Sequence, residues 1–62
     1  MNAITSENSC ILVVETDELL ARNVSADLKE SGYEAIIAPD AAIGLRYVTE
    51  KTPLLVVVDR ML

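Results

Sequence analysis

The chain predicts an α/β fold on a parallel sheet, ordered strand–helix–strand–helix–strand. Three observations carry that expectation. "CILVVE" at residues 10–15 and "LLVVVD" at 54–59 are short continuous apolar runs, as strands covered on both faces read. Stretches of helical spacing separate the strand-like segments, each long enough for a right-handed crossover between parallel strands. The apolar content is mostly Ala, Val, Leu and Ile, with only Tyr33 and Tyr47 aromatic, which suits close packing of helices on a sheet.

Residues 1–9, mostly polar and without periodicity, read as a mobile lead-in. The first strand covers Cys10 to Glu15. From Asp17 the spacing becomes helical. Leu20, Val24 and Leu28 recur every four residues with Ala21 beside them, while Arg22, Asp27, Lys29 and Glu30 face water. Thr16 or Asp17 supplies the N-cap, and Glu18 in the first turn suits the helix dipole. Gly32 is the C-terminal stop, since glycine accepts the left-handed conformation there. "YEAIIA", 33–38, is the second strand, broken by Pro39.

Asp40 caps a second helix over 41–51, whose apolar face is Ala41 or Ala42, Leu45 and Val48. Gly44 within it costs about 1 kcal/mol against Ala; the compensation expected is close approach to the sheet. Thr52 and Pro53 end the helix, and Leu54 to Asp59 form the third strand. These elements allow two strand orders, 2-1-3 or 3-2-1. Only the first makes strands one and three neighbours.

Sixty-two residues make at most one domain. A chain of this size removes only about 60% of its unfolded surface from water, so its stability alone is marginal. One cysteine, Cys10, excludes an intrachain disulfide, and the lack of His argues against zinc. Cys10 reads as a small strand residue rather than a reactive thiol. A net charge of −5 argues against this segment gripping nucleic acid or an anionic membrane. No apolar run approaches membrane-spanning length and the polar start is no secretory signal, so a cytoplasmic protein is expected.

The acids carry the functional expectation. In doubly wound sheets ligands gather outside the carboxyl ends of the strands, where the strand order reverses. The first strand ends on Glu15, Thr16 and Asp17, the third on Asp59. With order 2-1-3 these acids converge. Clustered carboxylates repel one another, and Mg²⁺, which takes one or two carboxylates and keeps several waters, would relieve that cost. Asp17 reads more simply as a helix cap. Arg22, Arg46 and Arg60 read as solvated charges.

At these residues a resemblance enters. "ILVVET", "LKESGYEAIIAPDAAIGL" and "PLLVVVDRML" together resemble the first half of a response-regulator receiver domain, the module that takes phosphate from histidine kinases in two-component signalling. The resemblance runs from about residue 10 to the end and implies a flavodoxin-like half-fold with order 2-1-3. It implies Asp59 as the phosphoacceptor and Glu15 as the first acid of the metal-binding pair. Thr16 falls at the second position, where a neutral hydroxyl replaces a charged Mg²⁺ ligand and weakens the site. Met61 falls where a backbone carbonyl reaches the metal.

The resemblance further implies a sensor histidine kinase as partner and a parent that regulates transcription, with no catalytic residue of an enzyme here. The family's later hydroxyl and lysine residues are not within these 62 residues, so 10–62 is expected to be the N-terminal half of a receiver. Leu54 to Val58 would then be an uncovered apolar edge, and self-association through it, as a homodimer, is expected. Two other readings stand beside this one. Thr16 allows a pseudo-receiver that binds partners without phosphorylation. "LLVVVD" also fits a Walker-B-like strand of a Mg²⁺-dependent nucleotide-binding enzyme, although no G-x-x-x-x-G-K-[ST] loop follows the first strand.

Overall fold

The computed structural model describes residues 9–59. In chain order the elements are β1 (Cys10–Val14), α1 (Glu18–Glu30), β2 (Glu34–Ala38), α2 (Ala41–Lys51) and β3 (Leu55–Val58). The three strands form one parallel sheet ordered β2-β1-β3. Of the two orders the elements allow, the chain takes the one with the first strand central. The step from β1 to β2 runs one way across the sheet, and the step from β2 to β3 runs back past β1. Right-handed crossovers in opposite directions place α1 and α2 on opposite faces.

The central position explains the composition of β1. Ile11 to Val14 are all buried, because both faces and both edges of that strand are covered. Leu12 and Val14 turn toward α2 and form a core with Ala38, against which Ile36, Ile43 and Tyr47 pack. The expected lead-in, residues 1–9, lies outside the described residues except for Ser9, whose carbonyl accepts from the Glu34 N–H at 3.0 Å.

Asp17 caps α1, its side chain accepting from the Leu20 N–H at 3.1 Å. The helix closes on Ser31 and Gly32. Gly32 N–H donates to Lys29 O and Tyr33 N–H to Leu28 O, both at 3.0 Å. This is the paired-bond stop that needs a residue at positive φ, and Gly32 sits at φ 96°. The buried face of α1 differs from the expected stripe. Ala21 and Ser25 are buried, Val24 and Leu28 half-buried, and Leu20 is 47% exposed. The line of closest approach runs along the small residues, which let the helix backbone near the sheet while longer side chains flank it.

Asp40 caps α2, accepting from the Ile43 N–H at 2.9 Å, and Thr52 ends it in the left-handed region at φ 43°. Gly44 is buried against Val14, so close that an added Cβ would lie 3.0 Å from Val14 Cγ2. The expected role of this glycine is borne out. The expected apolar face is not: Leu45 is 71% exposed and Val48 is also exposed. Contact at Gly44 turns Ile43 and Tyr47 into the core and rolls Leu45 and Val48 toward the side of β3. That strand is shorter than expected, and neither helix packs on it. No helix among the described residues is long and apolar enough to cross a membrane.

Candidate functional site

Parallel pairing puts the carboxyl ends of all three strands on one rim of the sheet. Val14 of β1 is in register with Val58 of β3, so the next residues, Glu15 and Asp59, emerge from adjacent strands spaced about 4.8 Å apart. The Asp59 N–H donates to Val14 O at 3.1 Å and the Glu15 N–H to Ala38 O at 3.0 Å. These bonds extend the ladder one step beyond the strands and hold the backbone of both acids.

Glu15 is buried at 8% exposure, unusual for a carboxylate. A buried acid requires hydrogen-bond partners, and Oε2 accepts from the Asp17 N–H at 3.1 Å. Asp17 in turn spends its own carboxylate on the α1 cap. It is exposed and acts on the first turn of the helix, as its cap reading requires. Thr16 stands exposed between them at the bend. Asp59 is half-buried. Arg60 and Met61 lie outside the described residues.

The arrangement therefore brings together two of the expected site residues, Glu15 and Asp59, and assigns Asp17 elsewhere. Among the described residues no group of three or more acidic or thiol side chains is arranged to hold a metal ion. Two carboxylates at one rim still fit Mg²⁺, which needs no more than one or two and fills its octahedron with water. A tighter, dehydrated cage of the kind calcium prefers would need more oxygen ligands than this pair offers.

A second feature escaped the sequence. Leu45 and Val48 of α2 and Val56 and Val58 of β3 wall an apolar groove floored by Leu12 and Val14. Its signal was present in Leu45 and Val48, but those residues read as core, because spacing alone does not say how far a helix is rolled about its axis. Comparison of the chain with protein-family models, curated proteins and solved structures gave no match.

Proposed function

We propose that the chain is the phosphoacceptor segment of a receiver-type signalling module, the N-terminal half of a cytoplasmic response regulator served by a histidine kinase. The observation that carries the reading is the register of β1 with β3, which sets buried Glu15 beside Asp59 at the carboxyl rim. The sheet order β2-β1-β3, with the reversal at this rim, supports it in the same sense.

In this reading an oxygen of the Asp59 carboxylate attacks phosphorus. The new O–P bond gives an acyl phosphate, and the bond from phosphorus to the donor breaks, its electron pair leaving with the donor. Glu15 contributes fixed negative charge at the rim, and with Asp59 it would hold Mg²⁺. Mg²⁺, when bound, neutralises charge on the phosphoryl oxygens. The neutral Thr16 hydroxyl adds no charge to that site, so weak Mg²⁺ binding is expected.

Incubation with acetyl phosphate and Mg²⁺ tests this directly. Intact-mass measurement is expected to find one added phosphoryl group, sensitive to hydroxylamine, lost in Asp59→Asn and retained in Asp40→Asn. A chain that gains no phosphoryl group, or gains it equally in Asp59→Asn, overturns the reading. The exposed Thr16 at the second acid position favours one other reading, a pseudo-receiver that binds partners without phosphate. Under that reading Mg²⁺ leaves the NMR signals of Glu15 and Asp59 unmoved.

A further inference from the structure

Asp17 gives its carboxylate to α1, yet its backbone reaches the rim. Its Oδ1 accepts from the Leu20 N–H at 3.1 Å, its carbonyl accepts from the Ala21 N–H at 2.9 Å, and its own N–H donates to Glu15 Oε2 at 3.1 Å. The bonds to Leu20 and Ala21 tie residue 17 to the first turn of α1. The bond to Glu15 passes that rigidity on to the rim. Asp40 caps α2 with the same chemistry, its Oδ1 accepting from the Ile43 N–H at 2.9 Å. Among the described residues no hydrogen bond links Asp40 to Glu15.

Glu15 is buried, and close packing leaves its side chain little room to swing. A carboxylate has two oxygens that accept. With Oε2 held by the Asp17 N–H, Glu15 offers a cation its other oxygen. Mg²⁺ is small, binds through one or two carboxylates in a strict octahedron and keeps its waters; Ca²⁺ takes more oxygens, and carboxylates often grip it through both. A carboxylate with one oxygen already engaged suits the first ion better than the second.

Given the phosphoacceptor reading, on which this rests, we infer that Asp17 is a positioning residue for the rim. Its cap on α1 holds the backbone N–H on Glu15, makes Glu15 a one-oxygen ligand, and so favours Mg²⁺ over Ca²⁺. The donor sits in extended backbone just ahead of the helix, at φ −80° and ψ 109°. The capping side chain stabilises that conformation by satisfying a first-turn N–H. Without it residue 17 is free to rotate, the N–H leaves Oε2, and Glu15 regains its second oxygen. Thr16 raises the stakes: it is exposed and uncharged, so the orientation of Glu15 counts for more.

NMR titration of the 62-residue chain with Mg²⁺ and, separately, Ca²⁺, followed at the Glu15 and Asp59 amides, tests this. The unmodified chain is expected to bind Mg²⁺ more tightly. Groups that hydrogen-bond a metal-ligating carboxylate typically carry about 10–100-fold of metal affinity. Asp17→Ala is expected to weaken Mg²⁺ about tenfold, the low end of that range because the N–H itself remains. It is expected to weaken Ca²⁺ less, so the Mg²⁺-to-Ca²⁺ affinity ratio falls. Asp17→Asn, which still caps, is expected to keep most of the ratio. Asp40→Ala, which strips α2 of its cap, is expected to leave it unchanged. An unchanged ratio in Asp17→Ala overturns the inference. So does an equal fall in Asp40→Ala, which would mean helix stability alone, or in Asp17→Asn, which would mean the charge of Asp17. If the ratio is unchanged in Asp17→Ala while Asp59 still takes a phosphoryl group, the inference fails and the phosphoacceptor reading stands. A chain that binds no Mg²⁺ overturns the inference too, and one that also takes no phosphoryl group overturns both. Should Asp17→Ala fail to fold, Asp17→Gly decides in its place, because glycine also lacks the capping oxygen and is far better tolerated than alanine at that position.

Discussion

Cys10 begins β1 half-buried, where burial first and Glu34 second push its thiol above the ordinary value of 9.0, with Lys51 pulling the other way. The reactive form is the thiolate, so this shift disfavours reaction at neutral pH. Alkylation by iodoacetamide is expected to show a pH midpoint above 9.0, and Lys51→Gln is expected to move it further up by removing the one lowering charge. The linkage follows in sign. A raised thiol pKa means the folded state holds its proton to higher pH than the unfolded state does, so this contribution to stability is intact below 9.0 and declines as pH rises past it. Ser25 is the less explained residue of the same kind. It is buried on α1, and its hydroxyl has no hydrogen-bond partner among the described residues. Nothing in its sequence neighbourhood marked it as a contact residue. It took that place because it is small and one helical turn from Ala21, on the line where the helix meets the sheet.

At the scale of elements, both helices show how local chemistry and packing divide the work. The caps at Asp17 and Asp40 and the stop at Gly32 are short-range devices, and all were readable from residue types and spacing. Exposed pairs Glu18–Arg22 and Arg46–Glu50, at 3.3 and 3.6 Å, support the helices from the solvent side, each by about 0.3–0.5 kcal/mol. Gly44 belongs to the other category. Replacing it by Ala improves helix propensity by about 1 kcal/mol, yet the new methyl meets Val14 Cγ2 at 3.0 Å. Val14 is buried and β-branched, with little freedom to yield. Overpacking of this sort costs about 1–3 kcal/mol, so Gly44→Ala is expected to lower the urea midpoint, by a net of about 1 kcal/mol. A raised midpoint would mean that α2 can lift from the sheet at no cost. The faces of α1 and α2 were only partly legible. A periodic stripe names a set of apolar residues, but the smallest member of the helix decides which side approaches closest.

For the whole molecule, the small buried core is expected to leave stability low. A chain this small buries little, and among the described residues neither helix packs on one of its three strands. The sequence by itself determined the order of the five elements, their parallel α/β class and the caps and stops of the helices, because each rests on periodicity, capping and backbone preference within a few residues. It also named Glu15 and Asp59, as acids that end apolar runs. Local pattern left the strand order open between 2-1-3 and 3-2-1, and the structure takes the 2-1-3 that the resemblance implied; only the tertiary structure decided that Glu15 is buried beside Asp59 and that Leu45 and Val48 open onto a groove. The physical reason is that strand order and helix roll come from contacts between residues far apart in the chain. The alternatives, 2-1-3 and 3-2-1, share the same local pattern and differ only in what covers what.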